Sequence, residues 1–452
     1  MKIVIAGCGK VGQKIVEKLS CENEHDITVI DTRQKVLSEV IGRFDVMGVC
    51  GNCASLETLE DAGVADTDIL ITVTGSDELN LLTCLIANKL CSCKTIARVR
   101  KPEYGKSIHL FKEDLGLAMV INPELAAAAE IARALRFPSA ISIDTFSKGR
   151  VEILKFKVLE GSPLCDMKIS DLNQKLSVNI LVCGVERKDE AFIPDGNFII
   201  KENDVLSIVS SLEDCAAFFK RIGIKESRVK DTIIVGGGEI AYYLSKILEK
   251  SGIKVKIFEK NTERASALCE LLPKAEVINA DGTEKESLLQ EGIEYADSFV
   301  ALTNMDEENI LLSLFAKSKT KGKLVTKINR IAYDEVIKSL DLDTTVYPKN
   351  ITAEYIVKFV RAKNNSISSN IETMHTILDG KAEALEFRIK ENSPISKIPL
   401  SELKLKKNII IACITRKGKI IIPNGRDIIE PDDLVIIVTT NHGYVDISDI
   451  LG

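Results

Sequence analysis

With 452 residues, 45% of them hydrophobic, the chain can bury several cores, and a multidomain globular protein is expected. Its 60 Lys and Arg against 66 Asp and Glu leave a net charge of −6 and no long basic block, which removes the electrostatic footprint of non-specific nucleic-acid binding; the dense basic cluster Lys317, Lys319, Lys321 and Lys323 reads as a solvated loop. The 12 cysteines are scattered through predicted strands and helices, as in a reducing cytosol, and no stretch of about 18 apolar residues without charge occurs, so any membrane role is expected to come through a partner.

The chain opens on MKIVIAGCGKVG, which reads as a strand running straight into a glycine-rich turn, with no charged n-region and cleavage site of a secretory signal. Strands are predicted near Lys2–Ala6, Ile27–Ile30, Val46–Val49, Ile69–Val73, Thr95–Val99 and Ala118–Ile121. Between them Lys10–Leu19, Gln34–Ile41, Glu78–Leu90 and Glu103–Leu110 carry apolar residues at helical spacing. This alternation asks for a parallel α/β sheet. After Pro123 the run ELAAAAEIARAL is an Ala-rich helix that should stop before Pro138 and is expected to cross to a partner subunit. From about residue 140 the pattern changes to short strands (Val151–Lys157, Asn179–Val185, Asp204–Val209) broken by the turns GSPL and PDGNF, a small α+β lobe.

The second half repeats the first. Gly7 and Gly236, Asn52 and Asp281, Asn80 and Asn309, Arg98 and Lys327, and Arg187 and Arg416 are each 229 positions apart, with local slips to 225 between Pro123 and Pro348 and 231 between Pro163 and Pro394. The expected organisation is therefore two Rossmann-like parallel-sheet domains, residues 1–135 and 230–362, each followed by a small α+β lobe, residues 140–225 and 371–452.

The turn GCGKVG spells G-x-G-x-x-G after a strand and before a helix: Gly7 for the tight turn, Gly9 for backbone approach to a pyrophosphate, Gly12 for helix–strand packing, with Cys8, Lys10 and Val11 between them. The helix start offers N–H groups and a positive dipole end to phosphates. Asp31, closing ITVID, is placed to accept both ribose hydroxyls and favours NAD(H), or an adenine nucleotide with a free ribose, over a 2′-phosphate; Thr32 follows it, and Arg33 keeps the phosphorylated ribose open. The second copy has Gly236, Gly237, Gly238, Glu239, Ile240 and Ala241, with Glu259 closing KVKIFE. Glu239 stands where the first copy has Lys10, so both sites are expected to take nucleotide, the second more weakly. Further candidates lie at the carboxyl ends of strands: Gly51, Asn52 and Cys53 with Ala280, Asp281 and Gly282 on the adenine side, then Thr72, Val73 and Thr74 with Leu302, Thr303 and Asn304. Arg98 and Arg100, with Lys327 and Asn329 in the second copy, are candidates for the phosphates. Cys50 and Cys53, or Cys91 and Cys93, have no His pair or second CxxC to complete a metal site.

GCGKVG with Asp31, GNCASLETLEDAG, TGSDELNLLTCLIA and TIARV resemble the KTN nucleotide-binding domains of the KTN/RCK family of potassium-conductance regulators. GSPL followed by VERKDEAFIPDGNFIIKENDVLSIV, and ITRKGKIIIPNGRDIIEPDDLVIIV, resemble that family's RCK C-terminal domains. The match spans nearly the whole chain, and two complete units without a pore segment look like the regulatory subunits of the bacterial Trk potassium uptake system. The resemblance implies that NAD(H) and ATP or ADP compete for the KTN crevice and that the units form a ring, four chains being the expected number. It also implies that the ring docks on the cytoplasmic face of a TrkH or TrkG type potassium-translocating membrane protein and gates it by changing shape. The family commonly has an acidic residue where this chain has Asn52, which leaves the adenine-side contacts of the first site open.

Two other readings stay on the table. An NAD-dependent oxidoreductase would need a proton donor facing the nicotinamide, and of the four histidines, His25, His109, His375 and His442, only His109 falls in a predicted nucleotide domain near the fifth strand. A regulator of another transporter, such as a potassium/proton antiporter, would carry the same lobes, because that fold does not name its partner.

Overall fold

The computed structural model describes residues 1–452 apart from 22–24, 102, 105–107, 137–141, 147–150, 189, 224–228, 330–336, 338–339, 341, 369–370, 379–380, 442–443 and 445. Pro138, residues 105–107 of the expected helix Glu103–Leu110 and His442 therefore lie outside the described residues, as does the side chain of His109. The chain divides into two compact units, one of residues 1–132 and 229–360, the other of residues 133–228 and 361–452.

The first unit holds two six-stranded parallel sheets of one topology. In the first copy β1 (Lys2–Ala6), β2 (Asp26–Asp31), β3 (Met47–Cys50), β4 (Ile69–Thr72), β5 (Lys94–Arg98) and β6 (Leu117–Ile121) lie in the order β3-β2-β1-β4-β5-β6. The helices between them are α1 (Lys10–Ser20), α2 (Gln34–Ile41), α3 (Leu56–Asp61) and α4 (Asp77–Leu90), and α5 (Pro123–Arg136) follows β6. The strand order reverses direction between β1 and β4, which opens a crevice at their carboxyl ends. The predicted strands match to within a residue at either end; α3, too short to show a helical period, went unpredicted. Period-two burial explains the sheet: Ile3 and Ile5 face one core, Val4 and Ala6 the other.

The second copy repeats the order with β12 (Asp231–Val235), β13 (Lys254–Phe258), β14 (Glu276–Ile278), β15 (Ser298–Ala301), β16 (Lys323–Lys327) and β17 (Thr344–Val346), arranged β14-β13-β12-β15-β16-β17. Its main helices are α8 (Glu239–Lys250), α9 (Thr262–Leu271), α10 (Lys285–Gln290), α11 (Asp306–Lys319) and α12 (Pro348–Ser368). Helix α12 does not stay with its own sheet. Its Ala353, Ile356, Val357 and Val360 join the first copy's core with Val11, Ile15 and Val16 of α1, and Lys18 Nζ meets Glu354 Oε1 at 2.9 Å. Burying an Ile or Val side chain is worth roughly 1.5–3 kcal/mol, so these contacts make α12 part of the first copy's core. From the other side, Asn122 Nδ2 before α5 donates to Tyr243 Oη of α8 at 3.0 Å, and Tyr243 Oη donates to Arg100 O at 3.2 Å. Contacts of the kind expected across a subunit boundary are thus made between the two halves of one chain, by α12 on one side and Asn122 on the other.

The other unit contains two five-stranded antiparallel sheets, again alike. The first has β7 (Ser142–Phe146), β8 (Val151–Lys157), β9 (Ile180–Arg187), β10 (Glu190–Phe192) and β11 (Val205–Ser210), with helices α6 (Ile169–Leu176) and α7 (Leu212–Arg221), in the order β10-β9-β11-β8-β7. The second has β18 (Ile371–Ile377), β19 (Ala382–Arg388), β20 (Ile409–Arg416), β21 (Lys419–Ile421) and β22 (Leu434–Thr439), in the order β18-β19-β22-β20-β21. Each sheet is pinned by a two-pronged pair onto a buried carboxylate: Arg187 reaches Asp204 at 2.7 Å through both Nε and Nη2, and Arg416 Nη2 reaches Asp433 at 2.8 Å. Among the described residues no helix is long and apolar enough to cross a membrane, and no group of three or more His, Cys, Asp and Glu could hold a metal ion.

Candidate functional site

Two of the three glycines of the first turn are required by the protein's own packing, and the third leaves a face open. Gly7 has φ +102°, and a Cβ there would sit 2.9 Å from Thr74 N. At Gly12 a Cβ would lie 2.0 Å from Gly7 O, so only glycine lets α1 pass this close to the loop. A Cβ at Gly9 would meet nothing within 4 Å, leaving its face open to a ligand. Gly9 also caps α1 without a side-chain hydrogen bond, so the first-turn N–H groups and the positive end of the helix dipole face the crevice.

Asp31 is buried at the end of β2 and accepts Cys8 N on Oδ2 at 2.8 Å, and Arg33 N and Nε on Oδ1 at 2.9 and 3.0 Å. Burial works against its charge, but the hydrogen bonds from Arg33 and Cys8 outweigh it and hold the carboxyl below the ordinary aspartate range. The Arg33 guanidinium is thus committed to Asp31, which weakens the case for a 2′-phosphate partner there. Cys8 points inward: burial, with Asp31 beside it, pushes its thiol up to about 12, so it is an inert packing residue.

The second turn copies the skeleton. Gly236 has φ +103°, Gly237 N donates to Glu259 Oε2 at 2.8 Å and Asn261 N to Oε1 at 2.8 Å, the counterparts of the Cys8 and Arg33 amides on Asp31. Its surroundings differ. Arg264 Nε donates to Gly237 O at 2.9 Å and its Nη2 reaches Glu239 Oε1 at 3.1 Å, a lock without a cationic counterpart in the first copy.

The carboxyl edges of the two sheets are braced alike. Asn80 accepts Thr74 N at 2.9 Å and donates to Arg98 O at 2.9 Å; Asn309 accepts Thr303 N at 2.8 Å and donates to Lys327 O at 3.0 Å. Asp77 accepts Arg100 N at 2.9 Å and Asp306 accepts Asn329 N at 2.8 Å. Between these edges lies one cavity of about 790 Å³, lined by Gly9, Lys10, Asp31, Asn52, Thr74 and Arg98 from the first copy and by Gly238, Glu239, Asn304, Lys327, Asn329 and Lys349 from the second. Lys327 is buried there and Arg98 half-buried, and burial lowers the pKa of both. Arg98 Nε and Glu124 Oε2, both in cavity-lining residues, are buried without a protein hydrogen-bond partner.

The TrkA-N domain family model matches residues 3–123 and 232–348, and the TrkA-C domain model residues 153–223 and 384–452. Over 448 residues the chain is 33% identical to a Methanosarcina mazei Trk system potassium uptake protein TrkA homolog 1, with 97% of each chain covered. The chain belongs to the TrkA family. The Haemophilus influenzae Trk system potassium uptake protein TrkA is 32% identical, with 97% of this chain and 95% of that protein covered. Among solved structures, the GsuK channel bound to NAD aligns with a TM-score of 0.63 at 19% identity, over 97% of this chain and 76% of that one, and the GsuK RCK domain with a TM-score of 0.62. At that identity the likeness bears on the fold, and it is the fold expected: two Rossmann-like KTN domains, each followed by a small RCK C-terminal lobe, in tandem duplication.

In this TrkA-family chain the cavity brings together most of the residues singled out in the first turn: Gly7, Gly9, Lys10, Val11, Asp31, Thr32, Arg33, Asn52, Cys53, Val73, Thr74 and Arg98, joined by Gly238, Glu239, Ile240, Ala241 and Asn304. It leaves out Cys8, Gly12 and Arg100, and from the second crevice Gly236, Gly237, Glu259, Asp281, Gly282 and Thr303. Thr72 is also outside it, fully buried, its hydroxyl donating to Ile96 O at 3.1 Å, because it still lies within β4 whereas Val73 and Thr74 follow the strand's end. Arg100 instead donates through Nη2 to Gly75 O at 2.6 Å. Unforeseen were Glu124 and Lys349, at the starts of the TrkA-family chain's two crossing helices. The slipped spacing of 225 that pairs Pro123 with Pro348 also pairs these two and shows their opposite charge, but only the fold brings both to the cavity.

Proposed function

We propose that this chain is a non-catalytic, nucleotide-sensing regulatory subunit of a membrane potassium-uptake protein, and that its first crevice binds an adenine nucleotide. The observation that carries the reading is the convergence, on one cavity of about 790 Å³, of an uncapped helix start at Gly9 and a carboxylate at Asp31. The residues suit NAD(H), ATP or ADP. The amides following Gly9 and the Lys10 ammonium would meet phosphates, Asp31 the ribose hydroxyls, and Asn52 and Cys53 the adenine side. Arg98 carries a buried Nε with no protein partner, a donor suited to an anion. The family's names and the NAD stated for the GsuK channel structure support the ligand class and the potassium system.

The same reading divides the chain at residues 1–135, 140–225, 230–362 and 371–452, and places it in the cytoplasm, peripheral on the inner face of the membrane. There several chains, four by expectation, form a ring that docks on a TrkH or TrkG type protein. A nucleotide shifts such a ring only through unequal affinity for its two geometries, and a factor of about 10⁴ is needed to carry it from one to the other. Calorimetric titration with NADH, NAD, ATP and ADP tests the ligand class. The expected result is competition between NADH and ATP for one crevice and its loss in Asp31→Ala; unchanged binding in that variant would send the glycine turn back to a structural role.

A further inference from the structure

We infer that the chain takes one nucleoside polyphosphate, in the first crevice, with Lys349 from the second half binding its outer phosphates, and that the second glycine turn takes none. This rests on the nucleotide reading above and adds stoichiometry and a ligand residue to it. The argument begins with a double reversal of charge. The spacing of 229 sets Lys10 against Glu239, and the spacing of 225 that relates Pro123 to Pro348 sets Glu124 against Lys349. All four line the one cavity.

Because the crossing helices exchange, each turn is faced by the start of the other copy's helix. Glu124 and Glu239 both line the cavity, and Glu239, after Arg100 and Arg98, is among the charges that act on Glu124. The internal symmetry that maps Glu124 onto Lys349 and Glu239 onto Lys10 relates this pair to Lys349 and Lys10, which line the same cavity. The packing of α12 on α1 puts its first turn there, and Lys349 Nζ is held by Asn329 O, the counterpart of the Arg100 strand end that receives Asn122 and Tyr243. One side of the cavity thus gathers the ammonium groups of Lys10 and Lys349, whereas on the other Glu124 has Arg98 and Arg100 acting on it and Glu239 is tied to Arg264. Two ammonium groups on one side are stabilised by an anion between them, and a chain of phosphates with several charges serves best; carboxylates already served by arginines offer the same ligand no such place.

The second turn is also closed from within. Arg264 binds both Gly237 O and Glu239, supplying internally the cation that a phosphate site would leave for its ligand. Since Asp31 and Glu259 are 228 apart, the first-copy residue at the place of Arg264 is Val36, which packs against the core. Of the second crevice, Glu259, Asp281 and Gly282 stay off the shared cavity, whereas Lys327, Asn329 and Lys349 reach it. The second copy acts as the far wall of the first copy's site.

The test is calorimetric titration of the full chain with ATP, NADH and AMP, in wild type, Lys349→Gln and Lys349→Arg. The expected results are one ATP per chain and a loss of about tenfold or more in ATP affinity in Lys349→Gln. AMP affinity should be unchanged in that variant, and Lys349→Arg should restore ATP. Two ATP per chain, or equal changes for ATP and AMP, would overturn the inference while leaving the nucleotide reading intact. Binding of none of the three ligands to wild type would overturn that reading, and the inference with it.

Discussion

The two glycine-rich turns share one backbone and differ in charge. Both open on a glycine near φ +100°, both aim two backbone N–H groups at a carboxylate, and both lie at the same switch of strand order. Yet the first turn carries Lys10 at its helix start, while Glu239 at the second is tied to Arg264. Backbone geometry, preserved through duplication, maintains the fold; the side chains on it decide whether the turn receives an anion.

Four measurements sharpen or break that comparison. The largest effect is expected from the paired carboxylates. Asp31→Ala should weaken nucleotide binding about a hundredfold, two charge-assisted hydrogen bonds being lost. Glu259→Ala should leave it within about twofold, on the scale of a residue that touches no ligand. Titration of both variants, with melting curves to verify folding, reads the difference directly; equal losses would make the turns equivalent.

Next come the packing positions. Gly12→Ala places a Cβ where Gly7 O now lies 2.0 Å away, and overpacking of this kind costs about 1–3 kcal/mol. Ala241 occupies the same position in the second copy and is fully buried with its methyl accommodated, so Ala241→Gly should cost about 1 kcal/mol through helix propensity. Denaturant unfolding of both variants checks the order; a tolerated Gly12→Ala would show that α1 has room to retreat.

Charge reversal follows. Lys10→Glu should reduce ATP affinity about tenfold, and Glu239→Lys should change it less, since Arg264 already screens that position. The smallest effect concerns acidity. Burial, with Glu239 adding to it, raises the Glu124 carboxyl above its ordinary value although Arg100 and Arg98 act the other way. A raised folded pKa means that the stability Glu124 contributes is complete below the unfolded carboxyl value and is lost as pH rises through the folded one. Glu124→Gln should therefore gain on wild type between mildly acid and neutral pH in denaturant midpoints, and the gain should vanish in acid. An identical pH profile in both proteins would remove the electrostatic tension assigned to that side of the cavity.

Much of the molecule was legible in the sequence because its signals are local. Strands of a parallel sheet are buried on both faces, so Lys2–Ala6 and Ile69–Thr72 appear as short apolar runs from their own composition. Gly7, Gly9 and Gly12 followed by Asp31 state a turn, an approach and a carboxylate within 25 consecutive residues. The repeat spacing of 229 states the duplication, and the turns GSPL and PDGNF mark the first lobe. Less legible were elements shorter than their own period, such as Leu56–Asp61, and strand ends where the face decides function: Thr72 points into the core and Thr74 to the edge.

What the sequence by itself determined is the pair of nucleotide-type sheets, their lobes and the chemical identity of each turn, since these depend on backbone conformation and periodicity over a few tens of residues. Only the tertiary structure decided that α12 leaves its own sheet to pack on α1, and that Lys349 thereby shares a cavity with Lys10 and Asp31. Residues more than three hundred positions apart share that cavity because α12 buries Ala353, Ile356, Val357 and Val360 in the first copy's core, a long-range contact that no local pattern encodes.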